Sequence, residues 1–133
     1  WTTNDCVIKD DLNKAYDQIN DVDNVIISSP IYFSELTGPL LSYTSRFQRY
    51  YAEKYMLDGH TYEMKKKKGA LILSAGGDCR DIRRPIETAG IIMKHINTES
   101  VGVISTMCTN EVPAKDDKKI QEQIDVIVDE LNG

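Results

Sequence analysis

The chain has 133 residues, 41% hydrophobic and 28% charged, with 16 basic side chains against 21 acidic ones and a formal net charge of -5. Such a length and apolar fraction suit one compact α/β-sized domain over 1–133 and exclude disordered, collagen-like and coiled-coil classes. The acidic balance disfavours nucleic acid, whose binding rests on phosphate neutralisation, and no apolar run approaches the ~20 residues of a bilayer span.

The elements follow in chain order. Leu12, Ala15, Tyr16 and Ile19 form a helical stripe, with Asp10 as a plausible N-cap and Asn20 and Asp21 closing the helix. Val25, Ile26 and Ile27 are a short run between turn residues and predict a strand buried on both faces. Thr37, Gly38 and Pro39 open a second helix, with an inner face of Leu40, Leu41, Thr44, Phe47 and Tyr51 that frays near Met56, before the turn at Asp58 and Gly59. Residues 58–68 read as a polar loop, and Lys65 to Lys68 as a solvated lead-in to the next strand rather than an anion-binding patch. Gly69 to Ser74 is that strand, and Pro85 begins a helix with Ile86, Ala89, Met93 and Ile96 inward. Val101 to Ile104 is a third strand, and a last helix carries Asp116 and Asp117 early, with Ile120, Ile124, Ile127, Val128 and Leu131 inward. Apolar strands alternating with amphipathic helices predict an α/β fold, a parallel sheet covered on both faces with right-handed crossovers.

Cys6, Cys79 and Cys108 form no CxxC pair, and their odd count argues against a zinc motif or a disulfide framework. The expected compartment is reducing and cytoplasmic. His60 and His95 stand alone and read as surface or helix-end residues. The paired carboxylates Asp10 and Asp11 read as helix capping rather than acid–base chemistry.

In open parallel sheets, ligands bind beyond the carboxyl ends of the strands. Two loops leave those ends. In the first, Ser28-Ser29-Pro30-Ile31-Tyr32-Phe33-Ser34, Pro30 stops the ladder, and Tyr32 and Phe33 present aromatic surface. These rings either meet a flat heteroaromatic ligand or cap the core or a neighbouring subunit. The second loop, Ser74-Ala75-Gly76-Gly77, has two glycines that let backbone approach a ligand closely.

The segment SSPIYFSELTGPL, running into the helix with Arg46, resembles the NADPH-dependent FMN reductase family and its strand-S-P-x-Y-turn-T-G-x-L-helix pattern. Cys6 to Leu12, CVIKDDL, is similar to the stretch before that strand in the branch related to iron–sulfur flavoproteins. Ser42 and Ser45 stand where many relatives have Lys and Asp. The resemblance implies a flavodoxin-like, doubly wound sheet. It further implies FMN held along Ser29, Pro30, Ile31, Tyr32 and Phe33 and bracketed by Ser74, Ala75, Gly76 and Gly77. NADPH or NADH would be co-substrate, and a flavin, quinone or similar small molecule the electron acceptor. No side chain is expected as catalytic acid or base, because the flavin carries the chemistry. Cys6 alone does not make a cluster motif.

Trp1 opens the chain without a strand pattern, as an internal cut would leave it. Set against strand order 2-1-3-4-5, the first strand, its phosphate loop and the second strand would precede Trp1. The fragment would then hold FMN less well than a longer form, and its bare strand edge would favour a homodimer or higher oligomer. Two rival functions are a flavodoxin-like electron carrier without its own nicotinamide reaction and a receiver-like signalling domain. The second lacks its acidic pair after the first strand, since Asp10 and Asp11 open a helix.

Overall fold

The computed structural model describes residues 6–57, 63–78 and 81–133. His60, Cys79, the Asp58-Gly59 turn and the WTTNDC start up to Asp5 lie outside them. Along the chain run α1 (Leu12–Asp21), β1 (Asn24–Pro30), α2 (Gly38–Ser45), α3 (Gln48–Tyr55), β2 (Lys67–Ser74), α4 (Arg83–His95), β3 (Thr98–Thr106), a 3₁₀ turn (Ala114–Asp116) and α5 (Lys118–Asn132). The strands lie side by side in the order β1-β2-β3, and both pairings are parallel. This is the expected α/β alternation, in an arrangement consistent with the flavodoxin-like fold.

Central β2 is nearly inaccessible, with Ala70, Leu71 and Leu73 each 2% exposed or less. Each Leu buried this way contributes about 1.5–3 kcal/mol of transfer free energy. Leu71 and Leu73 meet Ile27, Ile31 and Leu36 and the α4 residues Ala89 and Met93 in one core cluster. A second cluster joins Tyr16 of α1 to Phe47, Tyr50, Met64 and Ile96. The hydroxyl of Tyr50 donates to the Tyr16 carbonyl at 3.2 Å, and burial pushes its pKa up. On the opposite face α5 lies over β3 and β2, and a Cβ on Gly102 would sit 2.8 Å from Ile127 Cδ1.

Edge strand β1 departs from the expected two-sided burial. Ile27 and Ser29 are buried, but Ile26, in register with Ala70 on the α5 face, is 56% exposed, because α5 packs chiefly on β3 and β2. The second predicted helix is also corrected: it is two helices. The hydroxyls of Thr44 and Ser45 donate to Leu40 and Ser42 carbonyls, and the amides of Arg46 and Phe47 bond three residues back. This tightening at the end of α2 ends the α-helical run. Tyr50 then turns inward at 2% exposure, while the predicted inner residue Tyr51 is 40% exposed.

The lysine run is not a uniformly solvated lead-in. Lys67 is buried, its ammonium donating to the carbonyls of Lys65 and Ile96 at 2.9 and 3.0 Å, and desolvation lowers its pKa. Lys65 pairs with Asp23, Lys66 with Glu99, and Lys68 donates to the Glu130 carbonyl. The run therefore ties β2 to its neighbours at the amino end of the sheet. His95 ends α4 as expected, its Nδ1 2.8 Å from the Ile91 carbonyl.

Candidate functional site

The three loops beyond the carboxyl ends of the strands are laced together by backbone hydrogen bonds. Ile31 N donates to Ser74 O at 2.8 Å, and Ala75 N to Thr106 O at 2.9 Å. Further out, Cys108 N donates to Gly77 O, Thr109 N and Oγ1 to Ala75 O, and Asn110 N to Gly76 O, all within 3.1–3.3 Å. The Asn110 amide explains Gly76: a Cβ there would lie 2.8 Å from Asn110 Nδ2. At Gly77 an added Cβ would meet nothing within 4 Å among the described residues, and the glycine is exposed. Thr109 and Asn110 thus set the glycine loop. Nothing local in the sequence points to this role, because the contact is made across strands.

The first loop is built around a tight turn. Tyr32 and Glu35 exchange both backbone hydrogen bonds at 3.1 Å, and the two residues between them have positive φ, 53° at Phe33 and 59° at Ser34. Positive φ at both central positions is the type I′ signature, normally filled by Asn and Gly. An aromatic residue there is strained, and such strain concentrates at functional sites. Phe33 is fully exposed at the tip and Tyr32 is 63% exposed.

The turn is held from below. Ser29 Oγ accepts from Thr37 N at 3.1 Å and donates to Pro30 O at 2.8 Å. Glu35 accepts from Leu36 N at 2.8 Å and from Thr88 Oγ1 of α4 at 3.2 Å. Ile31 and Leu36 are anchored in the core.

The predicted site residues therefore fall into two groups. The rings of Tyr32 and Phe33 face outward at the carboxyl end with Pro30, Gly76 and Gly77 exposed, while Ser74 and Ala75 are half-buried and their backbone groups bond the neighbouring loops. The side chains of Ser29 and Ile31 point inward and support the turn. Sequence reading missed Glu35, Thr88, Thr109 and Asn110.

Arg46 holds the segment before α1. Its guanidinium donates to Asp10 at 2.8 Å, Cys6 Sγ at 3.1 Å and Ile8 O at 3.3 Å. The hydrogen bond from Arg46 lowers the pKa of the Asp10 carboxyl, and Asp10 also accepts from Leu12 N at 3.1 Å, although the N-cap position of α1 is Asp11. Among the described residues no group of three or more His, Cys, Asp or Glu side chains is placed to hold a metal ion, and no helix is long and apolar enough to cross a membrane.

The parallel sheet, with its loops gathered at the carboxyl ends, is the arrangement of the flavodoxin-like reductases. The sequence profile of the NADPH-dependent FMN reductase family matches residues 1–111, and the chain belongs to that family. Solved structures share the fold. A flavone reductase superposes with a TM-score of 0.64 at 20% identity, covering 85% of this chain and 42% of its own. An NADPH-quinone reductase from P. pentosaceus gives 0.60 at 10% identity over 85% and 71%. General stress protein 14 from Treponema denticola, in complex with FMN, gives 0.60 at 18% identity over 92% and 74%. The chain thus spans less than half of the first relative and under three quarters of the other two. No curated protein sequence matches it significantly.

Proposed function

We propose that the protein is an FMN-dependent oxidoreductase that moves hydride from NADPH or NADH, by way of bound FMN, to a flavin, quinone or similar small acceptor in the cytoplasm. The observation that supports this most is the strained Tyr32–Glu35 turn, set beside a glycine loop whose Gly77 is exposed at the carboxyl end of a parallel sheet. The residues fit the ring end of the cofactor. Tyr32 and Phe33 offer exposed aromatic faces, and the exposed backbone at Gly77 brings no side chain of its own. FMN, when bound, supplies the hydride-accepting ring, and the chain binds and orients it. Ser29, Glu35 and Thr88 fix the turn against α4, while Thr109 and Asn110 fix the glycine loop. No residue is assigned as catalytic acid or base.

Anaerobic titration of the FMN-loaded protein with NADPH and then NADH tests the proposal, followed by addition of a water-soluble quinone. Bleaching of the flavin by nicotinamide and its return with quinone are expected. FMN that binds but is reduced by neither nicotinamide would make the protein an electron carrier and overturn the enzymatic reading.

A further inference from the structure

Helix α3 brings Tyr51, Lys54 and Tyr55 onto one face by their i, i+3, i+4 spacing, and α4 does the same with Ile91, Lys94 and His95. Both rows line one cleft of about 810 Å³, a size within the ~300–1,000 Å³ of small-molecule sites. At one end of the cleft Asn97 Nδ2 donates to the Met64 carbonyl at 2.6 Å, joining the segments that lead into β3 and β2. The cleft therefore lies toward the amino end of the sheet. Its His95 end is about 10 Å along α4 from Thr88, which holds the Tyr32–Glu35 turn.

An aromatic wall stands open in this cleft. Tyr51 and Tyr55 are 40% and 60% exposed, with ring centroids 4.9 Å apart, and Tyr51 lies 5.6 Å from the His95 ring. Such rings offer a flat ligand a large contact area. Two ammonium groups stand beside them, that of Lys54 at 5.3 Å from the Tyr55 centroid and that of Lys94 on the facing helix. Among the described residues neither lysine has a carboxylate partner, whereas Lys65 at the same cleft pairs with Asp23. Glu63 is the single acid among the described lining residues. In a chain of net charge -5 the cleft is thus a local excess of positive charge.

We infer that this cleft is a second binding site, for a planar aromatic ligand that carries a carboxylate or a phosphate. The ring packs on Tyr51, Tyr55 and His95, and Lys54 and Lys94 hold the anionic group by charge-assisted hydrogen bonds. Aromatic contact supplies most of the affinity, and the two lysines select the anion over a neutral ligand of the same shape. The inference is independent of the flavin reading, because no residue of the cleft belongs to the loops at the carboxyl end of the sheet.

Isothermal titration calorimetry of the chain with naphthoate and, separately, with adenosine monophosphate tests it, each titration repeated with FMN in excess. One-to-one binding of at least one of these anions is expected, unaltered by FMN and about tenfold or more tighter than that of its neutral counterpart, naphthamide or adenosine. Binding of naphthoate alone makes the carboxylate the group recognised, and binding of the nucleotide alone makes it the phosphate. Lys54→Gln with Lys94→Gln should weaken binding about tenfold or more, and so should Tyr55→Ala. All three side chains are exposed, so circular dichroism should stay unchanged. No binding of either anion at millimolar concentration overturns the inference. So does displacement by FMN, which puts the ligand at the carboxyl-end loops, equal affinity for the neutral counterpart, or affinity that both variants leave unchanged.

Discussion

Replacing Phe33 and Ser34 together by Asn and Gly should stabilise the chain while weakening its hold on FMN. Both residues have positive φ, 53° and 59°, and left-handed backbone costs an ordinary L-residue about 1–2 kcal/mol. Asn tolerates that region, and Gly adopts it freely but returns about 0.5–1 kcal/mol through the greater entropy of the unfolded chain. Phe33 is fully exposed, so its removal forfeits no buried surface within the chain. The balance is a gain of about 1 kcal/mol, or about 0.5 M in urea midpoint for a slope near 2 kcal/mol/M. Urea unfolding followed by circular dichroism measures it. FMN binding, followed by flavin fluorescence, should weaken about fivefold or more, because stacking surface is lost. Unchanged or lower stability would refute the idea that the turn is strained and Phe33 unsupported. Unchanged FMN affinity would show that the strain does not serve flavin contact.

Gly69→Ala should destabilise by about 1–3 kcal/mol, since the new Cβ would lie 2.5 Å from Thr98 Cγ2 and 2.8 Å from the Val25 carbonyl oxygen; a urea midpoint within error of the parent would contradict this. Asp10→Asn should be less stable than the parent at neutral pH, with the difference shrinking in acid. The Arg46 hydrogen bond sets the folded-state pKa of Asp10 below its unfolded value, so its stabilisation is present above about pH 4 and fades as pH falls through the folded value. Urea titrations of both proteins at neutral pH and near pH 3 measure it, and a difference that grows on acidification would reverse the sign.

Patterns that depend on near neighbours were legible. The three strands and the helix start at Thr37-Gly38-Pro39 were read from apolar runs and turn residues, and the structure has them. What failed depended on partners distant in sequence. The two-sided burial expected for β1 assumed a helix over Ile26, but α5 packs chiefly on β3 and β2, and Ile26 stays 56% exposed. The helix predicted to run on to Met56 breaks at Arg46, where hydroxyls of Thr44 and Ser45 take up carbonyls of the last turn. A hydrophobic stripe does not reveal that competition.

The candidate site divides in the same way. Sequence alone determined that Pro30 ends a strand, that aromatic residues follow it, and that a glycine pair ends the next strand, because each is a property of adjacent residues. Only the tertiary structure decided that Phe33 sits strained and bare, that Ser29 and Ile31 turn inward, and that Asn110 fills the space over Gly76. Those outcomes follow from parallel pairing, which brings loops more than thirty residues apart into hydrogen-bond reach (Thr109 Oγ1 on the Ala75 carbonyl), and no local periodicity encodes such a meeting.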